Sequence, residues 1–517
     1  DQIAHANLCG FGKSVIQAVL EGKAEELVLV NCCDSMRRVY DIVESTGKCK
    51  FLYMLDIPHD DEECEKVKFA VSICRLKEAY EEYSRKKFDK SLFLKAFEQK
   101  DTENKPYIGV LGVRVSGVLE QMIRENIQMN VENLTCTGGR RLAVIPEDLQ
   151  KMEEEAMFLA YADTLLCQMP CFRMNNSTRR NRLYLDPYLK GIIYHTVKFC
   201  DFYSFEYAQI KQNVTVPLLK IESDYTVQSS GQLLTRLEAF AESMNMDNLE
   251  SGEKKMGKGY FAGIDSGSTS TDVVILNKDG EIVTGIILPT GAGAAMGAER
   301  ALEEALKQAK LQRKDIDAMV TTGYGRTAIT DGDKSITEIT CHARGAHFLN
   351  PEVRTVIDIG GQDSKVIRLD ENGAVANFVM NDKCAAGTGR FLEMMARTME
   401  MDLDQMSEAG LTYKEDITIS SMCTVFAESE VVSLIAQNKE TDDIVHGLNK
   451  AVASKTAALA KRVGGEERYM MTGGVSKNKG LVKTLEEKLG TTLVISDKAQ
   501  LCGALGAALF AMDMVQK

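Results

Sequence analysis

A strand–turn–strand pattern that occurs twice without a gap constrains the fold of this chain more than any other sequence feature. The first copy contains the turn Asp265-Ser-Gly-Ser-Thr-Ser-Thr271, and the second contains Asp358-Ile-Gly-Gly-Gln-Asp363. Asp265 aligns with Asp358, Gly267 with Gly360 and Gly280 with Gly373. The repeat predicts an internal duplication in which two similar hairpins face each other.

The chemistry of the two turns indicates phosphate binding. Glycine lets the backbone approach an anion, and successive N–H groups with small hydroxyls form an anion-binding concavity. Neither copy contains the G-x-x-x-x-G-K-[ST] pattern of a P-loop. Either copy alone could be an ordinary hairpin with a glycine turn, but the ungapped pair favours a clamp on a phosphate chain.

A third glycine cluster, Gly473-Gly474, follows an amphipathic stretch and suits close contact with a nucleoside. The predicted nucleotide-binding residues are therefore Gly267, Ser268, Thr269, Ser270, Thr271, Gly360, Gly361, Gln362, Asp363, Gly473 and Gly474.

Four side chains are predicted to have catalytic roles. Asp265 and Asp358 end their strands and are suited to organise Mg²⁺ through water. Gln362 and Glu428 are predicted to position the attacking water.

The length of 517 residues predicts more than one domain. A polar, glycine-punctuated segment at 243–258 is predicted to be a linker between a first domain at 1–242 and a second at 259–517.

The net charge of −13 argues against nucleic acid as a partner. Because no long apolar run or signal peptide is recognisable, we expect a cytoplasmic protein without a membrane segment.

The first domain alternates apolar, β-rich runs with amphipathic stretches, which predicts a doubly wound parallel sheet. The predicted strands include Glu26–Val30, Tyr107–Leu111 and Gly191–Val197, and the predicted helices include Asp34–Val43. Ligands of such sheets bind beyond the carboxyl ends of the strands. Cysteines lie at two such strand ends.

Fourteen cysteines in a chain expected to be cytoplasmic favour metal or redox use over disulfides. Cys384 and Cys423 each precede a helical run, where the helix N-terminus favours a thiolate or a negatively charged cluster. Two ligands are too few for a [4Fe–4S] cluster, but a symmetric homodimer would bring four together. The alternative is that both are buried, core-filling cysteines. Cys341 and Cys502 lie in helix-like stretches and are expected to be core residues.

The turns and Thr472-Gly-Gly-Val475 resemble the phosphate and adenosine motifs of the acetate and sugar kinase, Hsc70 and actin superfamily. Further motifs resemble the activators of 2-hydroxyacyl-CoA dehydratases and the ATPase subunits of benzoyl-CoA reductases, namely Gly323-Tyr-Gly-Arg326, Glu338-Ile-Thr-Cys-His-Ala-Arg-Gly345, Asn381-Asp-Lys-Cys-Ala-Ala-Gly-Thr-Gly-Arg390 and Ser421-Met-Cys-Thr-Val-Phe-Ala-Glu-Ser-Glu430.

This resemblance implies an α/β fold with a duplicated ribonuclease-H-like ATPase of the actin, Hsp70 and sugar kinase type. It also implies a [4Fe–4S] cluster held between two subunits by Cys384 and Cys423. ATP and Mg²⁺ would close the cleft and reorient the cysteine-bearing helices, with a dehydratase or reductase component as acceptor and reduced ferredoxin or flavodoxin as donor.

The first domain resembles the dehydratase subunit that such activators serve. The matching motifs are Asn7-Leu-Cys-Gly-Phe-Gly-Lys13, Asn31-Cys-Cys-Asp-Ser-Met-Arg-Arg38, Lys198-Phe-Cys-Asp-Phe-Tyr-Ser-Phe205 and Leu219-Lys-Ile-Glu-Ser-Asp-Tyr225. The resemblance implies a second iron–sulfur cluster on Cys9, Cys33 and Cys200, and a fold that continues upstream of residue 1.

Three further cysteines, Cys136, Cys167 and Cys171, would permit a larger assembly of the kind found in double-cubane proteins. A zinc site at the C-x3-C of Cys167 and Cys171 is an alternative, but no suitably spaced histidine accompanies it.

The leading hypothesis from the sequence is ATP-dependent electron transfer to an iron–sulfur dehydratase or reductase. The alternative is a small-molecule kinase of the same superfamily, with Asp358 or Asp363 as general base. The cysteine pair separates the two hypotheses because a kinase has no use for it.

Overall fold

A computed structural model describes residues 5, 7–97, 105–135, 138, 148–167, 181–198, 200–224, 230–244, 258–381, 385–420 and 423–516. The chain divides into two compact units, an N-terminal unit at Asp1–Leu237 and a C-terminal unit at Glu238–Lys517. The predicted linker at 243–258 lies mostly outside the described residues.

The division between the units falls a few residues before the end of the first domain predicted at residue 242. The helix that contains it spans Ser230–Met244, and its last two turns belong to the C-terminal unit. Ala239 of these turns is buried in a cluster with Ile339 and Ala343. Sequence composition could not place this boundary because the helix continues through it.

In the described part of the N-terminal unit, two sheets are present, and their strands all run parallel. A two-stranded sheet pairs β1 with β2, and a four-stranded sheet has the order β4-β3-β5-β6. The strands are β1 (Glu26–Val30), β2 (Phe51–Leu55), β3 (Tyr107–Gly112), β4 (Asn130–Asn133), β5 (Leu189–Val197) and β6 (Leu218–Ser223). The helices are α1 (Gly10–Leu20), α2 (Asp34–Thr46), α3 (Glu63–Ser84), α4 (Lys90–Leu94), α5 (Gly117–Asn126), α6 (Glu154–Cys167), α7 (Asn181–Tyr184), α8 (Asp201–Asn213) and α9 (Ser230–Met244). The predicted parallel strands and the helix after β1 are confirmed.

Strand β3 shows why this unit forms parallel sheets. All six of its residues are buried, and such continuous apolar runs are typical of strands covered on both faces. Tyr107 and Leu111 belong to the same apolar cluster as Ile192 and Tyr194 of β5.

The C-terminal unit contains two five-stranded sheets with the same topology. Three antiparallel strands come first in each, and two parallel strands extend the sheet from the first of these, which gives the orders β11-β10-β7-β8-β9 and β14-β13-β12-β15-β16. The strands are β7 (Tyr260–Ser266), β8 (Ser270–Leu276), β9 (Ile282–Pro289), β10 (Ile316–Thr322), β11 (Lys334–Ser335), β12 (Thr355–Ile359), β13 (Ser364–Leu369), β14 (Val375–Asn381), β15 (Tyr469–Thr472) and β16 (Leu493–Val494). The helices are α10 (Ala294–Ala309), α11 (Glu338–Leu349), α12 (Gly389–Thr398), α13 (Leu403–Ala409), α14 (Thr424–Ala436), α15 (Thr441–Val463), α16 (Lys479–Leu489) and α17 (Cys502–Gln516).

The hairpins of the two sheets have the same register as the sequence repeat. Asp265 of β7 pairs with Asp272 of β8, and at the aligned positions Asp358 of β12 pairs with Lys365 of β13. The repeat in the sequence therefore coincides with a repeat in strand pairing.

Two inner helices tie the two sheets together. Helix α17 follows the second sheet in the chain but packs on the first, where Ala508 lies in one cluster with Val274 and Val320. Helix α11 follows the first sheet but packs on the second, where Ile339 lies with Val356. The last helix of each half thus packs in the core of the other half.

Helices α10 and α15 cover the opposite faces of the first and second sheets. The segment Ala499–Gln516, which includes α17, is the one described segment long and apolar enough to cross a membrane, and 67% of it is buried in the structure. Its apolar composition follows from its contacts with β7, β8, β10 and α11.

Helices α11 and α17 touch backbone to backbone at two glycines. A Cβ atom on Gly506 would lie 1.8 Å from the carbonyl oxygen of Cys341, and one on Gly345 would lie 2.2 Å from the carbonyl oxygen of Cys502. Cys341 and Cys502 are fully buried, which confirms the prediction that they are core residues.

We predict that Gly506→Ala destabilises the C-terminal unit by about 2–3 kcal/mol, because the added methyl group overlaps a backbone carbonyl that cannot rotate away. Urea denaturation followed by circular dichroism measures this loss. The matched control is Gly490→Ala, which has left-handed backbone but open space around its Cβ, and it should cost about 1 kcal/mol. Equal losses for the two variants would contradict a packing constraint at the crossing.

Candidate nucleotide and cluster sites

The two glycine turns predicted to bind phosphate have the same internal hydrogen bond. The N–H of Gly267 donates to the carbonyl of Ser270 at 2.9 Å, and the N–H of Gly360 donates to the carbonyl of Asp363 at 3.0 Å. The aligned glycines therefore close aligned turns.

The turns meet each other, as the sequence repeat suggested. A Cβ atom on Gly361 would lie 2.1 Å from the hydroxyl oxygen of Thr269, so only glycine permits this approach. Ser268, Thr269 and Gln362 are exposed at the turns. Thr271 differs, because its buried hydroxyl contacts the hydroxyl of Thr290 at 3.0 Å within the fold.

Asp265 and Asp358 occupy equivalent places at the ends of their strands. Asp265 pairs with Thr322 of β10, and Asp358 pairs with Thr472 of β15. A glycine with positive φ follows each threonine. Cβ atoms on these glycines, Gly323 and Gly473, would lie 2.4 and 2.9 Å from the Oδ1 atoms of Asp265 and Asp358, respectively.

His342, which the sequence analysis did not single out, lies between the two aspartates. Its Nε2 is 3.7 Å from Oδ2 of Asp265, and its Nδ1 is 3.6 Å from Oδ1 of Asp358. The hydroxyl of Thr472 donates to Oδ1 of Asp358 at 2.9 Å and also lies 3.3 Å from Nδ1 of His342. The sequence signal was present, because His342 lies in the motif that begins at Glu338.

Lys365 is a second residue that the sequence analysis missed. Its Nζ is 3.3 Å from Oδ2 of Asp358 and 2.8 Å from Oδ2 of Asp363. Although burial opposes its charge, Asp363 and Asp358 raise the pKa of Lys365 well above its ordinary value. The repeat could have identified it, because Lys365 aligns with Asp272 of the first copy.

The two aspartates differ in their ionisation. Burial raises the pKa of Asp265 to about 7, although His342 partly offsets that rise. Burial also opposes ionisation of Asp358, but His342, Lys365 and the Thr472 hydrogen bond outweigh it and hold the pKa of Asp358 below its ordinary value. The pKa of Asp272 is raised to about 7, chiefly by burial. The negative charge of the cleft is therefore fixed on Asp358 and titratable on Asp265.

The residues around Asp265 fit a hydrated divalent cation. In the described part of the chain, Oδ1 of Asp272, the cross-strand partner of Asp265, is buried and makes no hydrogen bond. The carboxylates of this pair are ligands that Mg²⁺ prefers, directly or through water.

The second turn is connected to the segment that follows Cys384. The N–H of Gly389 donates to the carbonyl of Gly360, and the N–H of Arg390 donates to the carbonyl of Gly361, each at 2.9 Å. Helix α12 therefore begins directly on the predicted phosphate turn.

Glu428, predicted to position water, lies on α14 instead of beside a turn. It accepts a hydrogen bond from the hydroxyl of Thr398 on α12 at 3.3 Å. This contact joins the end of α12 to the helix that begins after Cys423.

Four of the predicted cluster ligands occupy the same kind of position. Cys9, Cys33, Cys200 and Cys423 are the N-cap residues of α1, α2, α8 and α14. Cys423 is exposed, and the other three are half-buried. A helix N-terminus stabilises the negative charge of a thiolate or of a thiolate-bound cluster, so these positions fit the predicted role.

Of the remaining predicted cluster ligands, only Cys167 lies within the described residues. Cys167 ends α6 and contacts Oδ1 of Asp163 at 3.5 Å, whereas Cys384, Cys136 and Cys171 lie outside the described residues. Among the residues that the structure describes, no three histidine, cysteine or acidic side chains form a metal-binding group.

Comparison with known families divides the chain in the same order as the structure. Residues 262–511 match the model of the BadF/BadG/BcrA/BcrD ATPase family. Residues 1–107 and 94–244 match the model of the 2-hydroxyglutaryl-CoA dehydratase D-component.

Individual relatives match the C-terminal half. The activator of lactoyl-CoA dehydratase from Anaerotignum propionicum is 48% identical over 258 residues, which cover 50% of this chain and 99% of the relative. The (R)-2-hydroxyglutaryl-CoA dehydratase activating ATPase of Acidaminococcus fermentans is 46% identical over 259 residues, which cover 50% and 99%. The structure of the Clostridium difficile 2-hydroxyisocaproyl-CoA dehydratase activator with ADPNP is 46% identical, covers 50% of this chain and 96% of its own, and has a TM-score of 0.48. The activators from Anaerotignum propionicum and Acidaminococcus fermentans are 48% and 46% identical to this chain, and the match covers 99% of each. The chain therefore belongs to the BadF/BadG/BcrA/BcrD ATPase family.

Proposed function

We propose that this protein uses ATP hydrolysis to drive low-potential electron transfer that activates an iron–sulfur 2-hydroxyacyl-CoA dehydratase or a related reductase. One observation carries the proposal: two aligned glycine turns meet each other, and their two aspartates face one histidine, in a C-terminal half that is 46–48% identical to dehydratase activators. The relative from Acidaminococcus fermentans is itself named an activating ATPase. The same relatives favour an activator over the kinase that the sequence also permitted.

The nucleotide would lie between the two turns. The exposed hydroxyls of Ser268 and Thr269 and the backbone N–H groups of Gly361 and Gln362 would bind phosphate oxygens. The N–H groups of Gly267 and Gly360 instead close the turns. Asp265 and Asp358 would hold Mg²⁺ through water, and exposed Gln362 would orient the attacking water. Gly473 and Gly474 would contact the nucleoside.

A chain of contacts supports coupling between this cleft and the cysteines. The second turn is hydrogen-bonded to the first residues of α12, and Thr398 of α12 contacts Glu428 of α14. A nucleotide bound at the turns, which touch each other in this structure, would therefore displace the second turn and shift α12, and α14 with it. Because Cys423 is the N-cap of α14, that shift would change its surroundings.

Cys384 and Cys423 would hold one [4Fe–4S] cluster together with the same two residues of a second chain in a homodimer. When bound, such a cluster supplies one-electron transfer at low potential. The exposure of Cys423 supports a ligand shared between chains. The donor would be a reduced ferredoxin or flavodoxin in the cytoplasm, and the net charge of −13 supports a role without nucleic acid.

The N-terminal unit would be the dehydratase-like acceptor, with a second cluster on Cys9, Cys33 and Cys200 and further ligands from Cys136, Cys167 and Cys171. Three of these cysteines are helix N-caps, which supports thiolate ligation. A donor and an acceptor in one chain have a raised effective concentration for each other.

We predict that Asp358→Asn and Asp265→Asn each slow ATP hydrolysis by about 100-fold or more, because each removes a carboxylate that organises Mg²⁺. Steady-state phosphate release measures the rate. Asp279→Asn, in the exposed turn between β8 and β9, is the matched control and should behave as wild type. Hydrolysis at the wild-type rate by both cleft variants would rule out this Mg²⁺ site.

We predict that affinity for MgADP weakens by about tenfold per pH unit below pH 7, because the proton on Asp265 must leave before the carboxylate can serve Mg²⁺. The pKa of Asp265 is about 7, so its carboxylate is ionised above pH 7 and protonated below it. Titration calorimetry between pH 6 and pH 8 measures the slope. Asp265→Asn should bind MgADP weakly, and its affinity should change less with pH. Protonation of the nucleotide itself affects both proteins equally. Equal slopes for the two proteins would contradict the assignment.

We predict that Cys423→Ser lowers iron by about two atoms per chain, which is half of a four-iron cluster shared by two chains. Iron and acid-labile sulfide are counted after anaerobic purification. Cys200→Ser should instead lose iron of the N-terminal unit, and exposed Cys64→Ser should lose none. Unchanged iron in Cys423→Ser would remove the basis for a shared cluster.

A further inference from the structure

The last two turns of α9 form part of the C-terminal unit, although they lie outside the segment that matches the ATPase family. That match begins at residue 262, whereas the dehydratase D-component match extends to residue 244. The compact C-terminal unit begins earlier, at Glu238. We call residues Glu238–Met244 the α9 tail.

The first contact of the α9 tail is made by Glu242, which caps α11. Its carboxylate accepts hydrogen bonds from the N–H of Thr337 at 3.0 Å and from the hydroxyls of Thr337 and Thr340. Thr337 is the N-cap residue of α11, and its own side chain does not cap that helix. The Glu242 carboxylate therefore accepts from a backbone N–H at the start of α11, where the helix N-terminus favours a negative charge. Burial raises the pKa of Glu242.

The second contact is made by Glu238, which pairs with Arg326. Arg326 is buried, lies 3.3 Å from Glu338 on α11 and donates to the carbonyl of Gly323 at 3.1 Å. Gly323 lies so close to Asp265 that an added Cβ atom would contact its carboxylate. Three contacts, through Arg326 and Gly323, thus connect Glu238 with Asp265.

Both contacts lead to the same place. Glu242 accepts hydrogen bonds from Thr337 and Thr340 at the start of α11. In the next turn of that helix, His342 lies between Asp265 and Asp358. An α-helix transmits a displacement of its end to its next turn, because its backbone is hydrogen-bonded throughout. The α9 tail and the cleft therefore share α11 as a common rigid element.

We infer that the α9 tail is a positioning element of the nucleotide cleft, in which Glu242 and Glu238 hold α11 and the Gly323–Arg326 segment so that His342 and Asp265 have their binding geometry. The inference rests on the proposed nucleotide site. It assigns to this chain an ATPase whose cleft depends on a segment that, by sequence, belongs to the dehydratase-like region.

Thermodynamic reciprocity provides the first test. If the tail sets nucleotide affinity, nucleotide must in turn stabilise the tail. Hydrogen exchange of the full chain is measured by mass spectrometry with and without saturating MgADP, and we expect amides within Glu238–Met244 to exchange several-fold more slowly when MgADP is bound. A tail that only packs against the unit would exchange equally in both states, and that result would overturn the inference.

Variants of the full chain provide the second test. Glu242→Ala should raise the Kd for MgADP by about fivefold or more, which lies within the usual range of site coupling. Glu242→Gln retains an acceptor oxygen and should recover part of the affinity. The matched control, exposed Glu303→Ala on α10, should bind as wild type.

Thr340→Val provides a milder variant in case Glu242→Ala does not fold, because it removes one donor to Glu242 and leaves the two groups of Thr337. It should weaken MgADP binding in the same direction. Wild-type affinity in Thr340→Val and a folded Glu242→Ala would overturn the inference. If the wild-type chain itself fails to bind MgADP, the proposed function fails first and the inference with it.

Discussion

The opposition of two carboxylates across one histidine is the constraint on which the C-terminal unit depends. Asp265 and Asp358 end equivalent strands and face the same histidine from opposite sides. Like charges at such a site repel strongly unless cations or protons balance them. Lys365 and His342 balance Asp358, whereas Asp265 shares its negative surroundings with Asp272 and has a raised pKa. The cleft is therefore asymmetric in charge although it is symmetric in topology.

This asymmetry originates from one aligned pair of positions. Asp272 and Lys365 occupy the same place in the two hairpins, opposite the two strand-end aspartates. The lysine places a positive charge beside the carboxylates of the second hairpin, whereas the aspartate adds a further negative charge to the first hairpin. A divalent cation would be attracted to the first hairpin, and helix α12 is attached to the second. The two copies thus have the same geometry but separate tasks.

Much of this arrangement could be predicted from the sequence, because the repeat is ungapped and strand pairing has a period of two residues. The register of both hairpins, the parallel strands of the N-terminal unit, the helix starts after Cys33 and Cys423, and the burial of Cys341 and Cys502 follow from patterns within short segments. The motif that begins at Glu338 contains His342 but does not show its role, because its partners come from strands that begin or end more than ten residues away along the chain. The division between the compact units inside α9 cannot be read from local composition, because Glu238 and Glu242 are identified by what they contact. Thr271 has the expected residue type for phosphate binding, but strand pleating turns its hydroxyl toward Thr290.

The exchange of inner helices determines what kind of movement the C-terminal unit permits. Each half covers its sheet with the last helix of the other, and the two helices touch through Gly345 and Gly506 with no side chain between them. Sliding one helix along the other would drive a backbone carbonyl into a neighbouring side chain, whereas turning one about the point of contact leaves the contact intact. The crossing would therefore serve as a pivot about which the two halves could turn without parting at their centre. Cleft residues near the pivot, such as His342, would move little, while the glycine turns farther out would travel most.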